Sequence, residues 1–311
     1  MAWPQTSGHE DSIVIGPDQR DRSRGTDAGS QENRAHNLIL RIASAAVLGP
    51  AVLALTYTGG WPFFGLCFLG ALGILYEWTL LTARRPQFRI LIPGAIGLLA
   101  AALLVGLASP NAALLAIVID VFATGLISAT AGHGAGRFRA ASWAASGVAY
   151  AAAVLLGPSL LRRDPQWGLS ALLFLFATVW ATDIFAFGWG RVLGGPLLSP
   201  SISPKKTWSG AIGGLVGGVA AGLGVAYTIG VGKLGIIGAM ALLLSVLAQA
   251  GDLLESAIKR RFGAKDTGTL IPGHGGLMDR LDGFLVAAFV AFVIGAVRHG
   301  TAAPASGLLV W

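Results

Sequence analysis

Long uninterrupted runs of apolar residues dominate the chain and leave it few folds to choose from. Nine such runs stand at 38–58, 61–82, 90–108, 112–131, 141–157, 168–188, 209–230, 234–256 and 281–297. About 20 apolar residues in a helix cross the hydrocarbon core of a bilayer. Inside that core a segment must satisfy its own backbone hydrogen bonds, which a helix does. The expectation is an all-α, polytopic membrane protein with about nine transmembrane helices. Composition agrees, with 54% hydrophobic and 12% charged residues, against about 25% charged in soluble domains. The run 141–157 is the weakest, being short and rich in Ala. The pairs Gly213-Gly214 and Gly217-Gly218 predict close helix packing. No inverted repeat is visible, which counts against a secondary transporter. Cys67, the single cysteine, lies in an apolar run and reads as a small core residue.

Residues 1–36 are polar, mixed in charge and without the apolar core of a signal peptide. They read as a disordered cytoplasmic tail. A multi-helix transmembrane domain over 37–298 and a short C-terminal tail over 299–311 complete the division. Basic residues orient the spans. The even-numbered loops hold Arg84, Arg85 and Arg89, then Arg137 and Arg139, then Arg191, Lys205 and Lys206, and finally Lys259, Arg260, Arg261, Lys265 and Arg280. The odd-numbered loops hold Arg162, Arg163 and Lys233. The even loops and the N-terminus are therefore expected in the cytoplasm, with the Arg162-Arg163 pair dissenting. This makes the chain a multi-pass protein of the cell (inner) membrane, its sixth and eighth loops on the cytoplasmic face.

Charge is costly in such a chain, so its carboxylates are informative. Outside the tail they are Glu77, Asp120, Asp164, Asp183, Asp252, Glu255, Asp266, Asp279 and Asp282, five of them between 252 and 282. Asp252, Glu255, Ser256 and Lys259 share one helical face. Asp279 and Asp282 stand at i and i+3 where the ninth helix begins. Asp252 and Asp279, one from each helix end, suit Mg²⁺, which takes one or two carboxylates plus substrate phosphates. The alternative is that they form structural ion pairs with Lys259 and Arg280. Between them, Gly273, Gly275 and Gly276 let backbone N–H groups approach an anion, and the ninth helix offers its N-terminal end. Lys259, Arg260, Lys265 and Arg280 add phosphate donors. His274 reads as a phosphate donor, a proton-transfer group or a loop brace. Asp120, mid-span, either pairs with Arg41 or lines a cavity. Glu77 either meets Arg84 or Arg85 or faces the site.

The sixth loop repeats the theme. Asp183 and Arg191 precede Ser203-Pro204-Lys205-Lys206-Thr207, where two lysines before a helix start suit phosphate oxygens. A positive-inside anchor with a Thr cap is the simpler alternative.

The run Ser256-x-x-Lys259-Arg260-x4-Lys265-Asp266-x-Gly268-x3-Pro272-Gly273-His274-Gly275-Gly276-x2-Asp279-Arg280-x-Asp282 resembles the motif of the phosphatidate cytidylyltransferases, the CDP-diacylglycerol synthases. Glu77-Trp78, Asp183-x-x-Ala186-Phe187, Gly190-Arg191, Ser203-Pro204-x-Lys206-Thr207 and Gly251-Asp252 are also similar. The resemblance covers roughly 38–297. It implies transfer of a cytidylyl group from CTP to phosphatidic acid with Mg²⁺, giving CDP-diacylglycerol and pyrophosphate. It further implies Asp252 and Asp279 as the metal centre. Catalytic roles fall to those two and to Lys259, Lys265, Asp266, His274, Arg280 and Asp282. Substrate binding falls to Arg260, Ser203, Lys206, Thr207, Asp183, Arg191, Gly273, Gly275 and Gly276. The implied partners are CTP, phosphatidic acid and the bilayer, with no nucleic acid, and a homodimer is left open. The chain departs from the pattern at Ser209, where Glu or Gln is common, at Phe187, where Tyr is common, and at Leu193-Gly194-Gly195. The competing classes are an enzyme activating another lipid phosphate, a lipid kinase and a transporter working through Asp120.

Overall fold

The computed structural model describes residues 44, 46–130, 135–268, 270–271 and 275–311. Its helices are α1 (Ala46–Thr58), α2 (Gly60–Ala83), α3 (Phe88–Gly106), α4 (Pro110–Ala129), α5 (Ala135–Arg163), α6 (Gly168–Leu193), α7 (Trp208–Thr228), α8 (Leu234–Arg261), α9 (Met278–His299) and α10 (Pro304–Leu309). Eight of them, α2 to α9, are long and apolar enough to cross a membrane. The helix α1 falls in the first expected span, whose earlier part, with Arg41, lies outside the described residues, as does the tail 1–36. The expected all-α polytopic architecture is thus present.

Several helices outrun their apolar runs, α5 and α8 with the most consequence. The helix α8 continues to Arg261 and carries Asp252, Glu255 and Lys259 on its last turns. The helix α5 extends well beyond 141–157. It packs against α2, α4 and α9, and Ala144, Val148, Ala151, Leu155 and Leu161 are wholly buried. A helix that faces protein on most sides needs small residues for close approach more than it needs a lipid-compatible surface, which is why hydropathy understates it.

The helices α6 and α7 touch along the expected glycines. A Cβ on Gly214 would sit 2.8 Å from the Thr182 carbonyl oxygen and 3.0 Å from Ala186 Cβ. The Thr182 and Ser245 hydroxyls, 2.7 Å apart, join α6 to α8. Gly214→Val is expected to lower the unfolding temperature, since overpacking a tight contact costs about 1–3 kcal/mol; a thermal melt of the purified variant checks this.

The dissenting Arg162 has a structural task. Its Nε donates to the Thr56 carbonyl at 2.6 Å and its NH2 group to the Tyr57 carbonyl at 2.9 Å, so it caps the C-terminal end of α1, where a cation is favoured. The buried Asp164 accepts from the N–H groups of Gln166 and Trp167 at the start of α6 and from Ser306 N–H and Oγ–H in α10. It thereby docks the segment 299–311, whose Leu308 and Leu309 are buried. Asp120 is also buried and accepts from Thr124 Oγ–H at 3.0 Å.

One element was not expected. Between α6 and α7 an antiparallel hairpin forms from β1 (Leu197–Ser199) and β2 (Ser203–Thr207), pairing Leu197 with Thr207 and Ser199 with Ser203. With three and five residues, its strands are too short to show an alternating pattern, and Pro204 is tolerated because a two-stranded ribbon has free edges.

Candidate active site

The sixth loop and the end of α8 enclose one cavity of about 450 Å³. Asp183, Arg191, Ser203, Lys206, Thr207 and Asp252 all line it, so five expected substrate-binding residues meet one of the expected metal ligands. Thr207 caps α7, its Oγ1 accepting from Gly210 N–H at 3.1 Å, which fixes the end of β2 and turns Lys206 inward. Lys206 Nζ lies 2.5 Å from Asp252 Oδ2. Arg260 ties the hairpin to α8, with Nε 3.4 Å from the Ile202 carbonyl. Gln249, which sequence reasoning passed over, also lines the cavity and donates to the Ala211 carbonyl at 3.3 Å.

The sequence departures in this loop touch one another. Ser209 Oγ–H donates to the Gly194 carbonyl and lies 3.0 Å from Thr207 Oγ1. Gly194 and Gly195 have φ of 59° and 104°, a region that favours glycine. Ser209, in the first turn of α7, therefore braces the Gly194-Gly195 turn that joins α6 to the hairpin beside the cavity.

Behind Asp252 lies a carboxylate cluster. Oxygens of Asp252, Glu255 and Asp282 all fall within 4.8 Å of one another. The reason is a close crossing of α8 and α9: a Cβ on Gly251 would lie 2.7 Å from the Asp282 carbonyl oxygen, and one on Gly283 2.8 Å from the Ala248 carbonyl oxygen. Only glycine at both positions allows the two backbones to meet there. Charges 4.8 Å apart repel by about 3 kcal/mol per pair at an effective dielectric of 20. Lys206 reaches Asp252, and Lys259 Nζ lies 2.7 Å from Glu255 Oε2. Glu255 is fully buried, yet neither of its side-chain oxygens takes a well-directed hydrogen bond from a described residue. A group of hard oxygen donors under this repulsion fits a divalent cation.

Asp279, expected at the metal with Asp252, is held here by protein groups. Its Oδ1 lies 2.7 Å from Lys259 Nζ. Its Oδ2 accepts from Thr267 N–H and Oγ–H at 3.1 Å and from Gly276 N–H at 3.2 Å. Both oxygens are engaged, and Asp282 stands in the cluster with Asp252. The two acids lie nearly one turn apart along one face of α9, so Asp279 meets Lys259 while Asp282 meets the earlier part of α8 that carries Asp252. Both carboxylates of the expected pair sit in ion pairs, although with Lys206 and Lys259 and not with Arg280.

Glu77 resolves the end of α9. Buried in α2, it accepts from Leu277 N–H and Met278 N–H at 2.8 Å and from Thr267 Oγ–H at 3.1 Å. The first N–H groups of a helix lack internal partners, and here Glu77 supplies them. Gly275 N–H donates to the Ile271 carbonyl at 3.1 Å. The N–H groups expected to cradle phosphate at Gly275, Gly276 and the start of α9 are thus met by the protein's own acceptors. A Cβ on Gly276 would collide with Thr267 Oγ1, so the glycine serves this packing. Gly273 and His274 lie outside the described residues. Lys265, Asp266 and Arg280 are exposed. Glu77→Gln turns a donor toward one of these N–H groups and is expected to cost about 1–3 kcal/mol, read as a lower melting temperature.

Comparisons with known proteins give the same direction. Residues 39–297 match the model of the family described as "Cytidylyltransferase family". The chain is 44% identical over 261 residues to a phosphatidate cytidylyltransferase of Brucella abortus biovar 1 (strain 9-941), covering 84% of this chain and 94% of that one. It is 43% identical over the same length, with the same coverage, to the phosphatidate cytidylyltransferase of Brucella melitensis biotype 1. It is also 38% identical over 149 residues to that of Staphylococcus aureus (strain COL), covering 48% and 56% of the two chains. With a family match spanning nearly all of its transmembrane helices and the cavity they enclose, the chain belongs to the cytidylyltransferase family.

Proposed function

We propose that the chain is a phosphatidate cytidylyltransferase: it transfers a cytidylyl group from CTP to phosphatidic acid, releasing pyrophosphate. The observation that carries this reading is the meeting of a cationic hairpin and a carboxylate cluster in one cavity at the end of a membrane bundle. A lipid phosphate oxygen attacks the α-phosphorus of CTP, a P–O–P bond to the lipid forms, and the bond to pyrophosphate breaks. The nucleophile is already anionic, so no strong base is required. The obstacle is repulsion between two polyanions, and catalysis is mainly positioning and charge neutralisation.

The residues divide this work. Arg191, Ser203, Lys206 and Thr207 line the cavity and hold the nucleotide phosphates, with Arg260 fixing the hairpin that carries three of them. Asp252, with Asp282 and Glu255 beside it, would hold Mg²⁺, which when bound neutralises phosphate charge and polarises the reacting phosphorus. Asp279 keeps Lys259, Thr267 and Gly276 in register, and its Oδ1 would be available to a cation only in exchange for Lys259. Asp183 shapes the cavity wall, and Lys265, Asp266, His274, Arg280, Gly273, Gly275 and Gly276 are assigned to phosphate handling beside it. The basic residues of the even loops support a cytoplasmic position for this face, where CTP is, with the spans in the cell membrane.

The test is turnover of radiolabelled CTP by detergent-solubilised enzyme with a panel of lipid phosphates. Chelation is expected to abolish turnover and Mg²⁺ to restore it. Asp282→Asn is expected to raise the Mg²⁺ concentration for half-maximal rate about tenfold or more. Full activity under chelation would remove the metal from the account.

A further inference from the structure

A second cavity, of about 570 Å³, opens at the same end of the bundle and shares no lining residue with the first. Three arginines converge on it from separate elements: Arg89 of α3, Arg139 of α5 and Arg261 of α8. No carboxylate is among its described lining residues. Its inner wall is fixed by aromatic contacts, with the Arg261 guanidinium 5.7 Å from the Trp143 ring centre and Phe262 edge-on to the same ring at 4.8 Å. Ser128, at the end of α4, lines the cavity, is 5% exposed, and its Oγ has no hydrogen-bond partner among the described residues.

Each of these features is unfavourable without a ligand. Like charges repel, and a buried hydroxyl without a partner is costly. Arginines at a membrane face ordinarily reach outward one by one, whereas these three share a walled cavity with a buried donor. We propose that this cavity is a second anion site, separate from the catalytic one, for a phosphate mono- or diester. Guanidinium forks match phosphate oxygens in pairs, and Ser128 Oγ–H would donate to the oxygen directed inward. The helix ends around the cavity lie where lipid headgroups lie, so the phosphate comes either from an anionic phospholipid or from a soluble phosphate.

The experiment titrates the full-length purified protein, in a neutral detergent, with dioctanoyl phosphatidylglycerol, dioctanoyl phosphatidylcholine or inorganic phosphate, and reads Kd. Phosphatidylglycerol is expected to bind at least tenfold more tightly than phosphatidylcholine. Arg89→Gln and Arg139→Gln are each expected to weaken it about tenfold, the effect of one lost charge-assisted hydrogen bond. Ser128→Ala, which removes a buried polar group and so is not expected to harm folding, weakens it about threefold and keeps the test decisive if an arginine variant does not fold. Inorganic phosphate binding with the same dependence on Arg89 and Arg139 assigns the site to a soluble phosphate. Phosphatidylglycerol binding that phosphate does not displace assigns it to a headgroup. Equal binding of the two lipids without inorganic phosphate binding that depends on Arg89 and Arg139, or affinity for both phosphatidylglycerol and inorganic phosphate unchanged in all three variants, overturns the proposal.

Discussion

Asp252→Asn is expected to lower cytidylyl transfer by about 10³-fold or more while leaving the melting temperature within a degree or two of wild type. The substitution keeps shape and removes one negative charge. That charge stands where the cationic hairpin meets the carboxylate cluster, since Asp252 both lines the cavity and belongs to the cluster. Weakening a cation that stabilises phosphoryl charge removes several kcal/mol from the transition state, and each 1.36 kcal/mol is tenfold in rate. Stability has little at stake. The Lys206–Asp252 pair is 26% and 36% exposed, and pairs of that kind contribute about 0–1 kcal/mol. Turnover numbers and melts on the same preparation check both halves. Activity within tenfold of wild type would take Asp252 out of the chemistry.

Lys259→Met is expected to act in the opposite way, chiefly on the fold. Lys259 is 13% exposed and bridges Glu255, at 0%, to Asp279, at 11%. Removing it leaves two carboxylates facing each other with one wholly buried. Breaking a buried pair from one side costs about 3–5 kcal/mol. The double variant Lys259→Met/Glu255→Gln removes the stranded charge and is expected to recover most of that loss, because the two residues are directly coupled. Recovery of stability without recovery of activity would separate the role of Lys259 in holding Asp279 from its role in holding the helices together. A single variant as stable as wild type would contradict the buried bridge.

The spans were legible because a bilayer imposes a length on apolar runs, and α2 to α9 each cover most or all of the stretch expected for them. Their ends were less so. The helix α8 runs on past its apolar stretch since Glu255 and Lys259 continue the helical face as an ion pair at i and i+4, and nothing in hydropathy marks that continuation. The hairpin 197–207 was unread because its strands are short and its position is fixed from outside, by Arg260 and by Ser209. At the site, spacing alone grouped Asp252, Glu255 and Lys259 on one face. What spacing could not supply was the choice between Asp279 and Asp282 as the neighbour of Asp252. That choice depends on two glycines, Gly251 and Gly283, letting α8 and α9 touch. It depends equally on Glu77, which arrives from α2 across 200 residues of sequence to occupy the N-terminal end of α9. Its signal was present as a carboxylate deep in an apolar run, but a lone acid there names no partner. Arg162 was a similar case. It read as a breach of the charge rule and is a cap on α1.

Joining CTP to a lipid phosphate in this cavity must release one pyrophosphate for each cytidylyl group transferred. The most direct measurement uses enzyme reconstituted in vesicles with phosphatidic acid and CTP labelled at the α-phosphate, counting label in the extracted lipid against pyrophosphate released. Lipid-borne label and pyrophosphate are expected in a one-to-one ratio, both lost in Asp252→Asn. Label that stays in the aqueous phase as CDP while phosphate appears on the lipid, or product formed with no pyrophosphate, would contradict it.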